Sequence, residues 1–169
     1  MNILITGRPG MGKTTLIKEI VRHFGEKAGG FYTEEVRKED GRTGFKIITL
    51  DGEIGTLASI NVKSPYKIGK YKVDLEDFEK VALPAIENAL LHSKIIIIDE
   101  IGPMELFSKR FKNLVLKALD SPNHVTATIK SKGSEFINKI KSRSDIILYN
   151  LTQDNKKTIL SDILAHKIK

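Results

Sequence analysis

Residues Gly7 to Thr14 read Gly-Arg-Pro-Gly-Met-Gly-Lys-Thr, a full match to G-x-x-x-x-G-K-[ST]. Few short patterns constrain a chain so tightly, because this one needs a buried strand before it and a helix after it. Both are legible. Met1 to Thr6 is a short run rich in Ile and Leu, too brief for a helix and apolar enough for a buried strand. Residues 15–27 then place Leu16, Ile20, Val21 and Phe24 at helical spacing. The competing reading, a glycine-rich turn that merely joins strand to helix, leaves the Lys-Thr pair unexplained.

The chemistry of such a loop follows from its backbone. Small residues let N–H groups converge on phosphate oxygens, and the helix N-terminus favours negative charge. Gly7, Arg8, Pro9, Gly10, Met11, Gly12, Lys13, Thr14 and Thr15 are therefore the candidate phosphate-binding residues. Lys13 is expected to reach the β- and γ-phosphates, and the Thr14 hydroxyl to ligate magnesium.

Composition bounds the rest. The chain has 169 residues, enough for one domain with a substantial core, and 40% of them are hydrophobic. Zero cysteines rule out disulfides, thiolate metal sites and thiol catalysis. The longest purely aliphatic run is Ile95 to Ile98, far short of the roughly 18 residues of a membrane helix. The first strand starts at Met1 without a charged leader, so no signal peptide and a cytoplasmic location are expected. Net charge is +7, but the lysines are spread among Glu and Asp along the chain without a long basic block, which describes a solvated surface better than a nucleic-acid track. Seven Phe and four Tyr, mostly at apparent core positions, offer no stacking platform. Nucleic acid is not expected as a partner, and nothing asks for an obligate oligomer.

The order of elements reads as α/β. Gly29 and Gly30 are expected to break the pattern after the first helix. Segments 31–38, 44–50 and 53–60, separated by Asp40-Gly41 and Asp51-Gly52, read as an antiparallel meander inserted at about 29–60. Residues 61–73 read as a loop with one extended piece at the end. Asp74 caps a helix to about Leu91, striped by Leu75, Phe78, Val81, Leu83, Ile86 and Leu90, which Pro84 is expected to kink or split. Strands 94–99, 124–128 and 145–151 alternate with helices beginning near Ser108, Gly133 and Asp154, the signature of a mostly parallel sheet covered on both faces.

The run from Ile95 ends in Asp99-Glu100. An aliphatic strand aims such a pair at the carboxyl edge of the sheet, where ligands bind in open α/β folds. Asp99 is the candidate magnesium ligand, and Glu100 the candidate base that orients water towards a γ-phosphate. With Lys13 it completes the candidate catalytic set. Asp99 to Gly102 also satisfies the D-x-x-G of switch GTPases, but the required N-K-x-D has only Asn155-Lys-Lys-Thr158 as a near match, without the Asp.

Taken together, the loop, Gly30-Phe-Tyr-Thr-Glu-Glu-Val-Arg37, Gly41-Arg-Thr-Gly-Phe45, Gly69-Lys-Tyr71 and Ile98-Asp-Glu-Ile-Gly-Pro-Met-Glu-Leu106 resemble the small P-loop nucleoside-triphosphatases, the family that includes the cancer-related nucleoside-triphosphatase. The resemblance spans residues 1 to about 160. It implies an additional-strand ATPase core and magnesium-dependent hydrolysis of several nucleoside triphosphates to diphosphates with weak base selectivity. Glu105 matches a family position to which no role is attached here. One departure is visible: where relatives commonly carry Asn-Arg-Asp, this chain has Asn155-Lys156-Lys157, and lysine lacks arginine's bidentate fork.

A transition-state cation could come from Arg8, Arg37, Arg42, Lys130, Lys132 or Arg143, each of which also reads as an ordinary surface residue. Thr126 and Thr128 could place a hydroxyl near the γ-phosphate or serve packing alone. His23, His92, His124 and His166 lack metal spacing and read as structural. The competing function is a small-molecule or nucleotide kinase, with the meander framing an acceptor. The densest basic piece, residues 108–112, is too little for an arginine-rich lid. An RNA-stimulated ATPase ranks third.

Overall fold

The computed structural model describes residues 1–166. Strand β1 (Asn2–Thr6) enters the phosphate loop, and helix α1 (Lys13–Phe24) leaves it. The helix starts two residues earlier than its apolar spacing alone indicates. It ends in a short 3-10 turn at Gly25–Lys27. Then come β2 (Ala28–Lys38), β3 (Gly41–Thr49), β4 (Ile54–Ser59), β5 (Lys67–Ile68), β6 (Tyr71–Val73) and α2 (Leu75–His92). The remainder alternates: β7 (Ile95–Ile101), α3 (Lys109–Asp120), β8 (His124–Ile129), α4 (Glu135–Lys141), β9 (Ile146–Asn150) and α5 (Lys156–Ala165).

Among the described residues nine strands join one sheet in the order β5-β6-β4-β3-β2-β7-β8-β1-β9. From β2 to β9 the strands are parallel, and β8 intervenes between β1 and β7 as the additional strand that the family resemblance implies. The pleat of β7 shows how the isoleucine run serves two cores at once. Ile95 and Ile97 pack with Leu16, Ile17 and Ile20 of α1 and Ile159 and Ile163 of α5. Ile96 and Ile98 face the other way, onto a core holding Phe78 of α2, Phe111 of α3 and Ile137 of α4. Each buried aliphatic side chain contributes about 1.5–3 kcal/mol.

Several expectations need correction. Gly29 and Gly30 do not interrupt the chain but lie inside β2. A Cβ on Gly29 would meet Ser93 Oγ at 2.4 Å and the Ala89 Cβ at 2.8 Å, and one on Gly30 (φ 115°) would meet the Ile97 carbonyl oxygen at 2.0 Å. Two glycines are what allow β2 to press between α2 and β7. Consequently the meander is continuous with the main sheet: Ala28–Phe31 pair in parallel with Ile95–Ile98, and Phe31–Lys38 pair antiparallel with β3. Residues 61–73 hold a small hairpin, β5 and β6, rather than one extended piece. Pro84 neither splits nor ends α2, whose flanking Phe78, Ala82, Leu83 and Ile86 are all buried. Val81, Leu75 and Leu90 are only partly buried, and Ala82 and Ala89 complete the core stripe. Finally, β7 runs on to Ile101, so Asp99 and Glu100 sit within it. The ladder to β8 passes from Ile98–Ala127 directly to Ile101–Ile129, and the carboxylate pair occupies that interruption.

The capping expectation at Asp74 holds, and Ser108, near which a helix is expected to begin, caps α3. Asp74 accepts from the Asp77 N–H at 3.0 Å, and Ser108 from the Phe111 N–H at 3.0 Å. Among the described residues no helix is long and apolar enough to cross a membrane.

Candidate active site

Gly12 caps α1 in the left-handed conformation (φ 91°, ψ 28°), with no side chain accepting from the first turn. The leading N–H groups of a 12-residue helix are thus left for an anion. Lys13 folds back over the loop, its Nζ donating to the carbonyls of Gly7 (2.8 Å) and Arg8 (3.2 Å). Thr14 on the next position donates its Oγ1–H to Asp99 Oδ2 at 2.8 Å.

Asp99 is 1% exposed and heavily bonded. Thr128 Oγ1 donates to its Oδ1, and the Thr33 N–H approaches Oδ2 at 3.4 Å. Burial pushes its carboxyl up, opposed by these donors and by the charge of Lys13. A carboxylate and a hydroxyl brought to one buried point, beside a loop prepared for phosphate, suit a hard divalent cation that takes its remaining oxygens from phosphate and water. Among the described residues no three His or carboxylate side chains group to hold a metal by themselves.

Glu100 follows across a cis peptide bond. Burial and then the neighbouring Asp99 charge push its carboxyl up, with Lys13 and Lys130 pulling the other way. Such a carboxyl is a better base than a solvated one, because its proton affinity approaches that of its task. Glu105, in a short 3-10 turn after β7, is only 4% exposed. A Cβ on Gly102 would lie 2.7 Å from Glu100 Oε1 and 3.2 Å from Glu105 Oε2, so the two carboxyls flank one glycine. Burial, then the charge of Glu100, push the Glu105 carboxyl well above its ordinary 4.5.

The proton on Glu105 has a measurable consequence. The native chain keeps it at a pH where the unfolded chain has released it, so stability of the nucleotide-free protein falls as pH rises from about 4.5 through the native value. Glu105→Gln removes that slope. Its denaturation midpoint is expected to rise relative to wild type at about pH 8 and to approach it at about pH 5. A pH-independent offset would contradict a buried neutral acid.

Lys13, Thr14, Thr33, Glu100 and Glu105 line a cavity of about 760 Å³, with Asp99 and Thr128 buried behind it. Of the nine loop candidates, Gly7, Pro9, Gly10, Gly12, Lys13, Thr14 and Thr15 line it. Arg8 is exposed and outside the lining, and Met11 packs against the core shared by α1 and α5. Arg37, Arg42 and Lys130 reach the cavity, whereas Lys132 and Arg143 do not. Arg143 is engaged elsewhere by Asp120 and Asp145, each at 2.7 Å. Of the threonine pair, only Thr128 touches the carboxylate, and Thr126 is simply buried. Lys156 pairs with Glu19 of α1 and lies outside the lining. His124 is partly buried, and burial lowers its pKa, as suits a structural residue.

Sequence reasoning missed Thr33, Glu34, Glu35, Leu57 and Ile68, all of which line the cavity. The first three lie inside the quoted Gly30–Arg37 segment, so a signal was present without an assigned role. Leu57 and Ile68 carried none.

A family model described as NTPase matches residues 2–164. Nucleoside-triphosphatase THEP1 of Thermotoga sp. (strain RQ2) is 51% identical over 98% of this chain and 94% of its own length. The cancer-related nucleoside-triphosphatase of Homo sapiens is 38% identical over 97% of this chain and 95% of its own. The crystal structure of THEP1 from Aquifex aeolicus superposes with a TM-score of 0.91 at 44% identity, covering 98% of both chains. With residues 2–164 matched and such relatives spanning nearly its whole length, this chain belongs to the NTPase family and has the P-loop NTPase fold.

Proposed function

We propose that this chain is a magnesium-dependent triphosphatase that converts ATP, GTP, CTP and UTP to the diphosphate and phosphate, acting as a single-domain monomer in the cytoplasm. The observation that carries the reading is the meeting of Thr14 and Asp99, at 2.8 Å, beside Glu100 and the open α1 N-terminus. The names of the relatives support the reaction class. Weak base selectivity is part of the reading because the groups of that constellation are ones a triphosphate, its cation and a water would engage, not a base.

Magnesium would be held by Thr14 and Asp99, where it would supply positive charge to offset that of the triphosphate. The chain's own groups do the rest. Loop N–H groups and Lys13 bind the phosphates and neutralise charge that builds on them. Glu100 orients a water in line with the γ-phosphorus and takes its proton as the new O–P bond forms and the β–γ bridging bond breaks. Thr128 and the Thr33 N–H hold Asp99 in place.

The test is phosphate release from each of the four nucleotides with magnesium, with and without EDTA, and with no acceptor present. Release from several nucleotides that EDTA stops is the expected result. Tight binding with no release would overturn the proposal.

A further inference from the structure

Glu105 stands outside the set that binds phosphate and cation, yet the chain buries a carboxyl there. Its neighbours Met104, Leu106 and Phe107 all pack against the apolar core, and the Glu105 side chain goes in with them, 4% exposed. Among the described residues no lysine or arginine forms an ion pair with it. A carboxyl buried without a cation keeps its proton, and an apolar residue of like size would cost less to bury. A local choice that works against stability in this way points to a functional site.

The position of that carboxyl is fixed. The Leu106 N–H donates to the Gly102 carbonyl at 3.0 Å, and the Ser108 N–H to the Glu105 carbonyl at 3.1 Å, which ties down the turn between β7 and α3. From this turn Glu105 reaches the wall of the same cavity as Lys13, Thr14 and Glu100. Gly102 shows how near the two acids come. A Cβ there would lie 2.7 Å from Glu100 Oε1 and 3.2 Å from Glu105 Oε2. Both lie within or at the edge of hydrogen-bonding range for an oxygen, so the gap between the carboxyls is of the size that one water bridges. Gly102 is not among the residues with positive φ, so no turn geometry asks for glycine at this point. What glycine supplies is the room between the two carboxyls.

We propose that Glu105 is a further catalytic residue, which donates the O–H of its carboxyl to the attacking water and so holds that water over Gly102, against Glu100. The proposal rests on the triphosphatase reading of the same site. In the step, one lone pair of the water accepts from Glu105 and the other faces the γ-phosphorus. One water proton passes to Glu100 as the new O–P bond forms and the β–γ bridging P–O bond breaks. Glu105 keeps its own proton throughout. The products are the diphosphate and phosphate, and Glu100 releases the proton it took to solvent. Two carboxyls thus divide the work on one water, the ionised one as base and the neutral one as donor.

The experiment measures phosphate release from ATP with magnesium, and ATP affinity, for wild type, Glu105→Leu, Glu105→Gln and Gly102→Ala. Leu keeps the apolar volume and removes the donor. It is expected to lower the rate about tenfold to a hundredfold, what one bond to a charged or reacting group contributes, with affinity within about twofold. Gln carries an N–H donor and is expected to return the rate to within about fivefold of wild type. Gly102→Ala sets a methyl between the carboxyls and displaces only side-chain ends, so it is expected to fold and to slow release at least about tenfold. Release at the wild-type rate from Glu105→Leu would overturn the proposal. So would a Gln variant as slow as the Leu variant, or a loss of affinity that matches the loss of rate. If Glu105→Leu fails to fold, normal release from Gly102→Ala overturns the shared water by itself. Each of these results leaves the triphosphatase reading standing, whereas no release from wild type would overturn both.

Discussion

Glu100→Gln is expected to lower the rate of phosphate release about a thousandfold while leaving nucleotide affinity within about threefold. The expectation is specific to the amide. Gln keeps the volume and can still orient a water, but it cannot take a proton from it. Glu100 is also held next to the buried Asp99, whose charge pushes its carboxyl up, so removing its negative charge relieves a repulsion rather than opening a hole. Thermal stability of the variant should therefore match or exceed that of wild type, which separates lost chemistry from lost folding. Single-turnover phosphate release, beside titration with a fluorescent nucleotide, reads both quantities. Turnover within about tenfold of wild type would show that the proton goes elsewhere, since general-base loss costs more than that.

Lys13→Ala should act on binding instead. The Nζ of Lys13 donates to the carbonyls of Gly7 and Arg8, on a loop that is open to solvent. Water can replace the ammonium there, so folding stability should change little. A triphosphate has no such substitute, because its charge concentrates where that ammonium would sit. Charge-assisted bonds contribute about 1.5–3 kcal/mol each, so nucleotide affinity is expected to fall by about a hundredfold or more. Equilibrium titration at fixed magnesium, with denaturation midpoints measured in parallel, checks this. Affinity near that of wild type would remove Lys13 from the phosphate site.

How far these groups could be read from sequence depended on how they are assembled. The loop and α1 were legible because the chemistry lies in consecutive backbone N–H groups, which glycine spacing reports directly. Asp99 was legible because four isoleucines in a row announce a strand buried on both faces. Thr128 was only half legible. Its contact with Asp99 depends on the register that pairs Ile98 with Ala127, and a strand's register is not written in the strand itself. Arg42 and Arg143 look alike as letters. What separates them is that one stacks on Phe45 at the cavity and the other pairs with Asp120 and Asp145 away from it. Pro84 does not split its helix, because the buried side chains on both sides of it keep α2 in one piece. Gly29 and Gly30 misled because they answer to α2 and β7, neither of which is near them in sequence.

Strand β2 is bonded on both edges, to β7 over its first residues and to β3 from Phe31 onward. The wall that holds Arg42 and Phe45 is therefore joined through backbone ladders to the strand beside the Asp99–Glu100 pair. Moving it would mean breaking backbone ladders, so this architecture cannot close on its nucleotide by swinging the meander like a jaw. Drying the reaction centre falls to the contents of the crevice and to its rim, at the phosphate loop and at Lys130 and Ser131. A site walled in this way stays within reach of water along its whole length, from the phosphate loop to the meander.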